Sequence, residues 1–371
     1  MEKKYTYIIN HDVDNFEAME LSKYELLCKA KKLLKRPKKI FVGLGGLLEI
    51  GDYNKIIDTV FFDEEGFKFE SVLDLNNRKL SEAGNIPFSF FKLAVYYPDF
   101  LLKDVPTFCM SVIGQKSRFF PGACSFIDFI KAFDPIILSA IPYEIAIEIV
   151  KRLELGEENL VSTKYKLIED ENKRECYAGD IVNFLSGIVK VREIRKRLEK
   201  ENLVDDDILY IGRGESGSQA FTDINSIAFN PSASVMQESE LSVYGSTLNS
   251  LMPFLDFDDS CKDLMESEEW DEFMPSLIVC SNVKSKSNDL LEIEKHHLNL
   301  QENITMQIME HLRESFESVK REVEIILGGY YIDMNKIRKT IENRLSAYRE
   351  NPEELVKEVY KIANHRCKKF L

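Results

Sequence analysis

Strand-like apolar runs alternate with helix-patterned stretches through the first three quarters of the chain. TYIIN is followed by KYELLCKAKKLLKR, then by KKIFVGL, and later DPIILSA by PYEIAIEIVKRLEL. A parallel strand needs a crossover to return to the same side of its sheet, so alternation of this kind predicts βα units. The expected fold is therefore an α/β domain on a parallel sheet, with any ligand held at the carboxyl ends of the strands.

At 371 residues, 44% hydrophobic and 30% charged, the chain is long enough for two or three units, each with its own core. The formal net charge of −14 argues against nucleic acid, whose phosphates call for clustered Lys and Arg. The seven cysteines (Cys28, Cys109, Cys124, Cys176, Cys261, Cys280 and Cys367) show no CxxC pair, the pattern of a reducing compartment. MEKKYTYIIN lacks the apolar centre of a signal peptide, and no run of about 18 apolar residues occurs. The expectation is a soluble, cytoplasmic protein with neither a membrane nor a nucleic acid as partner.

The rhythm breaks between Asp63 and Lys116, where FSFFKLAVYYPDF supplies aromatics for a local core. The predicted organisation is an N-terminal extension over 1–37, a core over 38–62 and 117–281, an inserted cap over 63–116, and a helical region over 282–371. The acidic stretch from Asp256 to Glu272 has no Gly for the sharp turn of a calcium loop and reads as a solvated segment. In the tail, ITMQIMEHLRESFESVKREVEIIL has helical spacing that ends at Gly328 and Gly329. Two further helices are predicted over Met334–Tyr348 and Pro352–Ala363. This helical appendix is expected to pack on the core or on a second copy, giving a homodimer or a surface for a protein partner.

Four segments carry a resemblance in order: KKIFVGLGGLLEIGD, DPIILSAIPYEIAIEIV, SGIVKVREIRKRL, and YIGRGESGSQAF with IAFNPSASVMQESELSVYG. Together they resemble the haloacid dehalogenase superfamily, most closely its archaeal phosphatase-like branch. The resemblance implies a Rossmannoid parallel-sheet core with an inserted cap. It also implies sites for an Asp nucleophile, for an acid–base Asp two residues later, and for metal-binding carboxylates in the last segment. Gly43 and Gly45 stand at the first two positions, Arg213 follows Gly212 at the third, and Gly217 takes the place of the last carboxylate.

On this alignment no nucleophile and no metal ligand remains, and no cofactor is expected. What the resemblance keeps is Ser139 and Lys190, both matched to phosphate-binding positions, to which this chain adds Arg213. With the backbone of Gly43, Gly45 and Gly46, such groups suit an anion that is held but not cleaved. The expected role is a binding, regulatory or assembly module, with a small anionic or phosphorylated ligand. The contrary expectation is a filled pocket in which acidic neighbours such as Glu215 satisfy Lys190 and Arg213.

Other segments compete for the site. YIINHDVDN places Asp12 and Asp14 after an apolar run at the spacing of a phosphatase nucleophile motif, and a magnesium-dependent phosphohydrolase built there is the alternative. TVFFDEEGF offers Asp63, Glu65 and Gly66 at a similar spacing and reads as a hairpin turn. His296, His297 and His311 lack the i, i+4 spacing of a helical metal pair. GESGS approximates a nucleophile elbow at Ser216, without evident His and acid partners.

Overall fold

The computed structural model describes residues 5–12, 15–47, 57, 60–61, 91–231, 233–236, 238–257, 277–281 and 318–370. The chain forms two compact units, one from Met1–Ile50, Arg118–Leu138 and Lys190–His311, the other from Gly51–Ser117, Ser139–Val189 and Leu312–Leu371.

The strands are β1 (Tyr5–Asp12), β2 (Asn15–Leu21), β3 (Lys39–Gly43), β4 (Ile136–Pro142), β5 (Leu160–Glu169), β6 (Glu175–Asn183), β7 (Ile208–Gly212), β8 (Ser226–Phe229), β9 (Leu241–Tyr244) and β10 (Leu277–Ser281). In the first unit they are ordered β2-β1-β10-β9-β8-β7-β3-β4, with β4 contributing as far as Leu138. From β9 to β4 every neighbouring pair is parallel. Every residue of KIFVG, ILYIG, SIAF and LSVY is buried, as strands covered on both faces must be.

β10 enters antiparallel to β9, β1 runs parallel to β10, and β2 folds back on β1. Residues 1–37, expected as an extension ahead of the core, therefore supply two strands to this sheet. They also supply helix α1 (Lys23–Lys31), opened by a reciprocal capping box between Ser22 and Glu25. The remaining helices of interest here are α2 (Leu44–Leu47), which follows β3 directly, α3 (Thr107–Lys116), α4 (Ala123–Ile130), α5 (Tyr143–Arg152), α6 (Ile188–Glu201) and α7 (Ser218–Asp223).

The second unit joins α3, α5, the antiparallel hairpin of β5 and β6, and the tail helices α8 (318–329), α9 (Met334–Ser346) and α10 (Pro352–Phe370). A π-helix over Lys92–Leu101 carries Pro98, which lacks the N–H that a regular helical turn would use. Phe91, Tyr96 and Tyr97 are buried, as a local core requires, and Phe91 stacks on Tyr360 of α10 with ring centroids 6.2 Å apart. Arg366, 8% exposed, donates to both carboxylate oxygens of Asp99 and to the carbonyls of Ala94 at 2.5 Å and Gly179 at 3.0 Å. The described tail thus packs within this unit. α10 runs past the predicted Ala363 because HRCKKF holds no breaker and its basic residues suit a helix C-terminus. Most of the expected cap, with Asp63, Glu65 and Gly66, lies outside the described residues, as do most of the acidic stretch and His296, His297 and His311.

Candidate strand-end site

β3 and β7 are adjacent and parallel, in register from Lys39↔Ile208 to Val42↔Ile211, so Gly43 and Gly212 end side by side. The space between these ends is occupied by Tyr210, a residue that the sequence reading did not single out. A Cβ on Gly43 would lie 3.0 Å from the Tyr210 hydroxyl, one on Gly212 2.7 Å, and one on Gly217 closer still. Phe221 packs against the ring from α7, with centroids 4.9 Å apart. The glycines at positions 43, 212 and 217 are therefore the room that Tyr210 needs. Carboxylate side chains at 43 and 217 could not be accommodated without moving it. Above this floor the surface opens: Gly45 and Gly214 are exposed, and a Cβ on either would meet nothing within 4 Å.

Lys190 projects from α6 and is 2% exposed. Its Nζ lies 3.4 Å from Ser216 Oγ, in the turn Glu215–Gly217, and 5.8 Å from the centre of the Tyr210 ring. Burial draws its pKa down to about 8. Arg213, the first residue after β7, is half-buried, and desolvation lowers it to about 10, opposed by the Tyr244 phenol. Burial pushes Tyr210 and Tyr244 up, so both are neutral hydroxyls at neutral pH.

Lys39 shows what a compensated lysine looks like in the same unit. It is 4% exposed, yet Asp134 and Glu201 each accept from its Nζ at 2.6 Å. Burial alone would lower its pKa, but these two carboxylates outweigh it and the net shift is upward. Lys190 and Arg213 have no carboxylate partner among the described residues. The side chain of Glu215, the partner anticipated for them, lies outside that set.

Ser139 follows Leu138, which pairs with Gly43 on the opposite side of β3 from β7. It is 1% exposed, belongs to the second unit, and its Oγ accepts the Ile141 N–H at 3.2 Å. Asp12 ends β1, which runs opposite to β7 and β3 and is separated from β3 by four strands. At about 4.8 Å per strand it lies on the order of 24 Å away, toward the other side of the sheet. It is not brought together with Lys190 and Arg213, and Asp14 lies outside the described residues.

The magnesium that the resemblance associates with such a site does not fit these residues. The positions that should offer oxygen ligands hold Gly43, Arg213 and Gly217, and no cluster of metal-ligating side chains occurs among the described residues. No helix among them is long and apolar enough to cross a membrane.

No family model and no curated protein matches the chain. Among solved structures it is similar to a phosphoserine phosphatase captured as a phospho-aspartyl intermediate analogue (17% identity, 60% of this chain and 100% of that one, TM-score 0.43). It is also similar to a haloacid dehalogenase family hydrolase from Salmonella enterica serovar Typhi (11%, 66% and 76%, TM-score 0.46). A gene product of Archaeoglobus fulgidus is a third (12%, 62% and 84%, TM-score 0.43). At TM-scores below 0.5 the chemistry of the site rests on its own residues.

Proposed function

We propose that this chain is a haloacid dehalogenase-like protein whose strand-end site holds a small anion and does not carry out aspartyl phosphoryl transfer. The observation that carries this reading is the pair Lys190 and Arg213, both desolvated and neither compensated by a described carboxylate. A desolvated charge left unpaired is costly, and an anion bound at the end of β7 would offset that cost. The glycines and Tyr210 support the second half of the reading, because the ends of β3 and β7 offer Gly43, Gly212 and Arg213 and no carboxylate to attack phosphorus or hold a metal. The exposed surface at Gly45 and Gly214 is where the ligand enters. Such a domain serves as a sensor or an assembly module, with the helices of the second unit as its partner or dimer surface.

A thermal-shift series with inorganic phosphate tests this reading. An anion at a hundredfold its Kd stabilises by about 2.7 kcal/mol, which is several degrees for a chain of this size. The shift should be the same with and without magnesium and should vanish in Arg213→Ala. A shift that needs magnesium, or one unchanged in Arg213→Ala, would overturn the assignment.

A further inference from the structure

The turn after β7 places Ser216 half-buried beside exposed Gly214, while Lys190, whose amine lies within reach of its hydroxyl, is sealed from water. Nζ and Oγ are 3.4 Å apart. Among the described residues, the amine's hydrogen-bond and ring contacts are the Ser216 hydroxyl and the Tyr210 ring, and it has no carboxylate partner. A serine becomes a nucleophile when a base within hydrogen-bond reach takes its proton, and serine–lysine pairs meet that need without His or Asp.

We propose that Ser216 and Lys190 form a serine–lysine pair that hydrolyses small activated esters, with Ser216 as nucleophile and Lys190 as general base. Neutral Lys190 takes the Oγ proton as Oγ bonds to the ester carbonyl carbon. The bond from that carbon to the leaving oxygen then breaks, and the lysine returns the proton to that oxygen. Water, deprotonated by the same amine, releases the acyl group as a carboxylic acid and restores the serine. The pKa of about 8 supports this, since the amine is then substantially neutral just above physiological pH. Arg213, three residues earlier in the same loop, is the cation that this proposal assigns to the carbonyl oxygen as it becomes negative.

The inference goes beyond anion binding and does not require it, although both use Lys190. An anion resting against the amine would hold its proton and silence the base. The test is diisopropyl fluorophosphate labelling of the full chain, read by mass spectrometry, with melting curves to show that each variant is folded. The expected adduct is on Ser216, forms faster as pH rises through about 8, and is lost in Ser216→Ala. Labelling should slow about 100-fold or more in Lys190→Met, and similarly in Lys190→Arg, which cannot give up its proton. Folded wild type that takes no label on Ser216 up to about pH 9.5 would overturn the proposal, as would equal rates in Lys190→Met. Saturating inorganic phosphate separates the two readings. Labelling that phosphate leaves untouched supports the pair and sinks the anion site, whereas phosphate binding without any label sinks the pair alone.

Discussion

Replacing Lys190 with Met should stabilise the protein at neutral pH, by an amount that follows from the burial of its charge. Desolvation lowers this lysine from 10.5 to about 8. A pKa difference of that size between unfolded and folded chain corresponds to about 3 kcal/mol. Below pH 8 the amine is protonated in both states and the folded protein carries the whole penalty. Between pH 8 and 10.5 the unfolded chain keeps a proton that the folded one has released, so stability gains as pH rises. Above 10.5 both forms are neutral and the penalty is gone. Met has a similar length and no charge, so Lys190→Met should exceed wild type by up to about 3 kcal/mol at pH 7. That margin should shrink toward zero as pH rises to about 10.5. Urea unfolding of both proteins across this range measures it, because titrations elsewhere cancel in the difference. A margin that is flat with pH, or a mutant less stable at every pH, would mean that Lys190 is compensated after all, and the reasoning would fail.

Lys39→Met should act with the opposite sign, costing about 1 kcal/mol at pH 7 in the same urea series, because it strands Asp134 and Glu201. Gly217→Ala should cost about 1–3 kcal/mol by driving a methyl group into the Tyr210 hydroxyl, and Tyr210→Phe in the same chain should recover part of that loss in thermal melts. Arg366→Met should cost about 1–3 kcal/mol by leaving half-buried Asp99 without its partner, and Asp99→Asn added to it should restore some stability. Asp12→Asn should leave any phosphate-induced melting shift unchanged, since β1 lies several strands from β7 and runs opposite to it.

The parallel core was legible because KIFVG and ILYIG are apolar throughout, and that positions 43, 213 and 217 hold Gly, Arg and Gly can be read directly from the residues. What replaced them could not. Tyr210 looks like any strand aromatic until β3 and β7 are set side by side, and only then does Gly43, far from it in sequence, prove to share that neighbour with Gly212 and Gly217. The pairing of β1 with β10 joins segments some 270 residues apart in sequence, beyond the reach of any local pattern. The π-helix defeats period counting, because Pro98 and a wider turn displace the apolar positions from regular helical spacing. Lys190 and Ser216 lie 26 residues apart, on a helix and a turn that only the tertiary fold brings within 3.4 Å.

The central claim, that Lys190 and Arg213 hold an anion, is tested most directly by titrating the full chain with inorganic phosphate in a calorimeter at about pH 8.5. Two buffers of different ionisation heat would report the protons exchanged. The account predicts magnesium-independent binding coupled to proton uptake, because the anion restores the charge on Lys190, with the uptake lost in Lys190→Met and the affinity lost in Arg213→Ala. Binding without proton uptake, or no binding heat with or without magnesium, would contradict it.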